Sequence, residues 1–232
     1  MLYPREAASH FKGKFFVSPE VLAERLHQIK AFVFDWDGVF NGGQKDAEGS
    51  SPFNEVDAMG TNLLRFNHHL RNNSQAVTAI ITGEQNKAAL AFARREHFNA
   101  VYCGIKYKAQ ALEHLNKAYG IMDGEVAFVF DDVLDFSVAA SAGLRIMVNR
   151  DCNPLLIGWA QQQGYIDYLT AADGAHYALR ETVELLTGIS GHYEETISER
   201  ARFTERYQQY LRERNQTEPR FFTVKDSVIT DL

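Results

Sequence analysis

The stretch Ala31-Phe-Val-Phe-Asp35-Trp-Asp37-Gly38-Val39 sets two carboxylates two residues apart, directly after a run of strand-forming apolar residues. Both acids then sit at a strand's exit, and in an open α/β sheet ligands bind there, in the crevice beyond the carboxyl ends of the strands. Residues two apart on a strand face the same way. Here the second acid falls where the chain turns at Gly38, so the pair can converge on one metal ion or phosphate. Turn chemistry by itself also puts acids at strand ends, so the rest of the chain has to decide between the two readings.

From Ala31 onward, short apolar runs alternate with helix-forming segments. Ala31–Asp35, Ala76–Thr82, Ala100–Cys103, Val126–Asp131, Leu144–Val148 and Ile166–Leu169 read as strands. Glu84–Glu96, Lys108–Tyr119, Ser137–Ala142 and Ala175–Leu186 read as helices. The alternation predicts an α/β fold over 31–188, a Rossmann-like parallel sheet with helices on both faces and no large cap domain. At 232 residues and 45% hydrophobic, the chain can bury such a core without disulfides. Cys103 and Cys152 lack the paired spacing of a zinc site or a disulfide framework.

Two extensions flank this core. In 1–30, Ser18-Pro19-Glu20 is a helix start that leads an amphipathic packing helix to about Ile29. In 189–232, Glu194–Arg214 alternates acids and bases around Ile197, Phe203, Tyr207 and Leu211, which predicts a solvated helix with one apolar stripe. Pro219–Val224 is aromatic and extended, either a strap on its own core or a subunit contact. A net charge of −6 with no basic block argues against nucleic acid as a partner. The N-terminus lacks a secretion pattern and no run is long enough for a membrane span, so a cytoplasmic protein with no membrane partner is expected.

Further signals fall at strand ends. Ala79-Ile-Ile-Thr82-Gly83-Glu84 closes a strand with a hydroxyl and a glycine, so Thr82 and the following amides can bind phosphate oxygens or simply cap a helix. Lys108 opens a helix, where a cation is electrostatically unfavourable unless an anion lies nearby, and Lys106 is a close rival. Asp131, Asp132 and Asp135 follow a fully apolar strand, and acids gathered at one sheet edge repel unless a cation neutralises them. With Asp35 and Asp37 they offer the hard oxygen ligands that Mg²⁺ prefers. Phe53-Asn54-Glu55-Val56-Asp57 precedes a helix expected to begin near Met59, and Asn54 and Asp57 are candidates for substrate contact or for a helix cap. His68-His69 has no ligand-spaced partner and reads as packing, as does Trp36, which should point away from its two neighbouring acids.

The blocks Asp35-Trp-Asp37-Gly38-Val39, Ile81-Thr82-Gly83, Lys108 and Asp131-Asp132-Val-Leu-Asp135 resemble the four motifs of the haloacid dehalogenase superfamily of phosphatases. FNEVDAMG, Gly104 ahead of Lys108, and FDDVLDFSVAASAGL are similar to its capless branch, which contains the 3-deoxy-D-manno-octulosonate 8-phosphate (KDO 8-phosphate) phosphatases. That branch also holds phosphatases of nine-carbon keto-sugar acids and a non-catalytic assembly module linked to some cytidylyltransferases. The resemblance implies a Mg²⁺-dependent phosphatase of a small phosphorylated sugar acid, working through an aspartyl-phosphate in a homo-oligomer, most often a tetramer. It makes Asp35 the nucleophile and Asp37 the general acid and base, with Thr82 and Lys108 on the phosphoryl oxygens. The metal would sit on Asp35, the Asp37 backbone carbonyl and Asp131, with Asp132 and Asp135 behind; Gly83, Glu84, Asn54 and Asp57 would meet the substrate. The chain departs from the branch in three places. Its Asn41–Pro52 flap is short, Glu84 stands where octulosonate enzymes tend to carry arginine, and Asp173-Gly-Ala-His replaces a glycine-rich segment with an arginine.

Overall fold

The computed structural model describes residues 3–232. The N-terminal reading above falls partly on Met1 and Leu2, which lie outside them. The described residues form helices α1 (Pro4–Ala8), α2 (Pro19–Gln28), α3 (Glu55–Asn72), α4 (Lys87–Glu96), α5 (Ala109–Tyr119), α6 (Phe136–Ala139), α7 (Pro154–Gln162), α8 (Ala178–Ile189), α9 (Tyr193–Ala201) and α10 (Glu205–Arg214). The strands are β1 (Lys14–Phe15), β2 (Ala31–Phe34), β3 (Val77–Ile81), β4 (Ala100–Tyr102), β5 (Val126–Phe130), β6 (Leu144–Met147), β7 (Tyr168–Leu169), β8 (Arg220–Lys225) and β9 (Val228–Asp231).

All nine strands join one sheet in the order β1-β7-β6-β5-β2-β3-β4-β8-β9. From β7 to β8 every neighbouring pair is parallel, and only the outer strands β1 and β9 run against their neighbours. The alternation of side chains along β2 splits the core into two layers. Phe32 and Phe34 pack under α2, α3, α4 and α8, whereas Ala31 and Val33 face the layer of α5, α6 and α7. A strand apolar at every position, as β2 and β5 are, is what a sheet covered on both faces requires.

The chain leaves β2 toward β3 and β4, then returns across the sheet to β5 and continues outward to β6 and β7. Successive connections therefore diverge between β2 and β5, a topological switch point where a crevice opens beyond the strand ends. Asp35 follows β2 and Asp131 follows β5, on the two sides of that crevice.

The six expected strands are present, each slightly shorter than its apolar run. α2 starts as expected, with Ser18 Oγ accepting from the Val21 N–H at 3.3 Å and Pro19 in the first turn. Two expectations are corrected. The helix expected near Met59 begins at Glu55, because Asn54 caps it. The single helix over Glu194–Arg214 is two, α9 and α10, broken where Phe203 takes φ 50° and Thr204 caps the second. The apolar stripe shifts accordingly: Phe203 is exposed at the break, while Tyr207 and Tyr210 bury against Phe66 of α3. Pro219–Val224 is a strap on its own core, since β8 pairs in parallel with β4.

Candidate active site

Asp35 and Asp37 leave β2 into a turn at Gly38, whose φ of +91° lies in the left-handed region that favours glycine. A Cβ there would also stand 2.1 Å from both Asp131 Oδ2 and Arg150 Nη2, so the close approach of the two strand ends depends on this glycine. Trp36 turns away from both acids, as expected; it is fully buried, stacks on Phe40 and donates its indole N–H to Ser51.

Lys108 lies in the turn that opens α5, buried, with Nζ 2.6 Å from Asp35 Oδ1 and 2.5 Å from Asp135 Oδ1. Burial opposes its charge, but the two carboxylates outweigh that and hold its pKa above the ordinary lysine value. The anion expected near this helix start is therefore Asp35 with Asp135, and Lys106 is not the residue that meets it. Lys106 instead pairs with Glu84 at the rim, an ion pair that lowers the Glu84 pKa.

The acids after β5 divide their work. Asp135 is fully committed: Oδ1 accepts from Lys108, and Oδ2 accepts the Asp131 and Asp132 N–H groups at 3.4 and 3.1 Å. Asp131 is buried, and neither of its carboxylate oxygens has a hydrogen-bond donor, although the Arg150 guanidinium lies against it. Burial first, and then the neighbouring Asp35 and Asp135, push the Asp131 pKa well up. Burial likewise raises Asp135, to about 6. Carboxylate oxygens of Asp35, Asp131 and Asp135 lie within 4.8 Å of one another. A buried carboxylate with no donor, facing a second one, suits a divalent cation with oxygen ligands. The residues present thus fit Mg²⁺, with Asp131 and Asp35 as available ligands and Asp135 already occupied in orienting Lys108 and the turn.

Asp37 is held by the flap. Ser51 Oγ donates to Oδ1 and Lys45 Nζ reaches Oδ2 at 2.7 Å. Asn86, the cap of α4, fixes Ser51 through its side-chain amide at 2.7 Å. The short loop over Asn41–Pro52 therefore folds back onto the site and positions a carboxylate, in place of extending as a hairpin.

Asp35, Asp37, Gly83, Glu84, Lys106, Lys108, Asp131, Asp132 and Asp135 line one open cavity of about 230 Å³. Thr82 is buried just behind Gly83 at the exit of β3, its hydroxyl 3.5 Å from the Glu84 N–H. Asn54 and Asp57 do not join the cavity lining. Asn54 Oδ1 accepts the Asp57 N–H at 2.8 Å, and Asp57 Oδ1 accepts the Arg180 N–H at 2.9 Å, so both are engaged in starting α3 and docking α8. The structure shows these two as a helix cap and an inter-helix contact, outside the lining of this cavity. Sequence reasoning missed Arg150, Lys45 and Ser51. Arg150 carried a readable signal, as a cation just beyond the exit of β6.

No family model matches the chain. It is similar to the 3-deoxy-D-manno-octulosonate 8-phosphate phosphatase KdsC of Escherichia coli strain K12, at 30% identity over 183 residues covering 77% of this chain and 89% of that protein. Among solved structures it is similar to the 3-deoxy-D-manno-octulosonate 8-phosphate phosphatase of Moraxella catarrhalis in complex with a magnesium ion, a phosphate ion and KDO. There the TM-score is 0.64 at 27% identity, over 79% of this chain and 98% of that one. A putative HAD superfamily (subfamily III A) hydrolase of Legionella pneumophila matches with a TM-score of 0.65 at 27% identity, over 79% and 95% of the two chains.

Proposed function

The chain belongs to the haloacid dehalogenase superfamily, in its branch of 3-deoxy-D-manno-octulosonate 8-phosphate phosphatases, and on that premise we propose that it hydrolyses KDO 8-phosphate or a near analogue through an aspartyl-phosphate. It is a phosphoric monoester hydrolase. The observation that carries the mechanism is the buried arrangement of Asp35 against Lys108, facing a donor-free Asp131 across the switch-point crevice.

Asp35 attacks phosphorus in line, forming the acyl-phosphate bond as the bond from phosphorus to the sugar oxygen breaks. Asp37 gives its proton to that departing oxygen, then takes a proton from the water that hydrolyses the intermediate. Lys45 and Ser51 hold the Asp37 carboxylate in place. Lys108 orients Asp35 and balances the incoming phosphoryl charge, while Gly83 and the backbone beside Thr82 meet its oxygens. Asp35, the Asp37 backbone carbonyl and Asp131 would hold Mg²⁺, which would supply the positive charge that lets an anionic nucleophile approach an anionic ester. A nine-carbon sugar-acid phosphate is the second reading, favoured by Glu84 at the rim.

A capless core leaves this cavity open, and exposed Tyr107, Val133 and Leu134 support a homo-oligomer, a tetramer by family resemblance, as the means of closing it. Among the described residues no helix is long and apolar enough to cross a membrane, and a cytoplasmic location is part of the same proposal. Turnover of KDO 8-phosphate, a nine-carbon analogue and a neutral hexose 6-phosphate tests the function. KDO 8-phosphate should lead, EDTA should abolish the activity, Mg²⁺ should restore it, and Ca²⁺ should substitute poorly because its looser coordination misplaces the in-line geometry. Full activity in chelator, or a flat substrate profile, would overturn the reading.

A further inference from the structure

Arg150 lies where two cavities meet. One is the cavity of Asp35 and Asp131; the other, of about 270 Å³, is bounded by Gly38, Gly42, Asp151, Cys152, Asp173 and Gly174. One guanidinium nitrogen, Nη2, forms an ion pair with Asp131 Oδ2, and that contact leaves most of the five donors unused. Glycines flank it: a Cβ at Gly38 would overlap Nη2, and one at Gly43 would stand 3.3 Å from it.

Three cations line the two cavities: Lys106, Lys108 and Arg150. Lys108 is buried between Asp35 and Asp135, and Lys106 is paired with Glu84 at the rim. Arg150 has Asp131 alone, the carboxylate whose oxygens suit a metal ion. A metal on Asp131 would take over as counter-charge, and Arg150, rooted beyond the exit of β6, already lines the second cavity. A planar guanidinium takes a carboxylate through two parallel N–H bonds, a geometry that an ammonium cannot offer.

We propose that Arg150 is the specificity-determining residue that reads the substrate's carboxylate. With the phosphoryl group at Asp35, the sugar chain runs from the first cavity into the second one, and its acid end pairs with the Arg150 guanidinium. This rests on the reading of the protein as a phosphatase of sugar-acid phosphates and assigns the acid recognition to one side chain. Two acids share the lining of the second cavity, but Asp173 accepts the Ala175 and His176 N–H groups and Asp151 accepts from the Asn149 side-chain amide, so Arg150 is the one cation there to meet a substrate anion.

The test compares kcat/KM for a phosphorylated keto-sugar acid and for a neutral hexose 6-phosphate, in wild type, Arg150→Met and Arg150→Lys, each first checked for its melting temperature. Any effect of Arg150 on the metal through Asp131 is common to both substrates and cancels in their ratio. Arg150→Met should lower the acid-over-neutral ratio by roughly ten- to hundredfold, the worth of one charge-assisted pair, mainly through the KM of the acid. Arg150→Lys should fall between the two. A ratio unchanged in both variants overturns the inference and leaves the phosphatase reading standing. A wild-type enzyme that hydrolyses both substrates equally well overturns the sugar-acid reading and the inference with it. A wild-type enzyme inert toward every phosphomonoester removes both.

Discussion

Lys108 shows how closely one side chain is specified here. A buried ammonium at a helix start is unfavourable on two counts, and it is retained because Asp35 and Asp135 each lie within 2.6 Å. Asp35→Asn should abolish turnover and the trapped phosphoenzyme while leaving the fold intact, since an amide cannot form the intermediate. A phosphorylated residue other than Asp35, found by peptide mapping of quenched enzyme, would contradict this. Asp37→Asn should lose roughly 10²- to 10⁴-fold in kcat, and near-normal turnover would remove Asp37 from proton transfer. Asp35, Asp37, Gly83, Glu84, Lys108 and Asp131 were legible because each stands at a strand exit or a helix start, positions that periodicity locates. Arg150 reaches the cavity, and Lys45 and Ser51 reach Asp37, from irregular segments, where no period says which way a side chain points.

At the scale of the element, α3 carries two buried groups whose titrations oppose each other. Burial lowers the His68 pKa from 6.5 to about 4, with Arg71 and His69 adding to the effect. Its contribution to stability is complete above pH 6.5 and is lost as pH falls toward 4. Burial raises the Asp57 pKa from 3.8 to about 6, against the hydrogen bonds from Asn54 and Arg180. That contribution is complete below 3.8 and is lost as pH rises through about 6. Each amounts to about 3 kcal/mol at about 1.4 kcal/mol per pH unit, so the two nearly cancel in the wild type. Asp57→Asn should therefore lose stability on acidification from pH 6.5 to 4, whereas His68→Leu should gain it, read as urea midpoints across that range. Parallel profiles for both variants and the wild type would show that neither group titrates there. The helix pair α9 and α10 shows where pattern reading stops. Its apolar spacing runs on through Phe203, but a left-handed residue followed by the Thr204 cap ends one helix and starts another, and only local chemistry marks that point.

Across the whole molecule, the central parallel sheet was readable because fully buried strands are continuous apolar runs bounded by helices. Its margins were not: β1 has two residues, and β8 is placed by pairing with β4, which no local pattern specifies. The C-terminal segment was expected to pack on the core or a neighbour, and it packs on the core. Phe222 stacks on Tyr102 with ring centroids 4.9 Å apart, and Tyr207 donates to Asn62 at 2.9 Å. Deleting residues 192–232 should therefore lower the melting temperature markedly as well as weaken assembly and raise KM, since it strips β4 of a neighbour and uncovers Phe66. A truncated protein of unchanged melting point, mass in solution and kinetics would show the segment to be dispensable.

The position of β8 also bears on biosynthesis. Cys103 N–H donates to the Phe222 carbonyl, and Gln85, just after the Gly83-Glu84 turn, donates to Thr223 Oγ1 at 3.2 Å. During synthesis β4 and that turn emerge long before the strand that flanks them. Until β8 arrives, the nascent sheet presents a raw margin of free amides and carbonyls beside Gly104, open to any other extended chain. Full protection of that margin awaits synthesis of Arg220–Lys225, so a polypeptide stalled or released before that point is the form most exposed to aggregation and to chaperone capture.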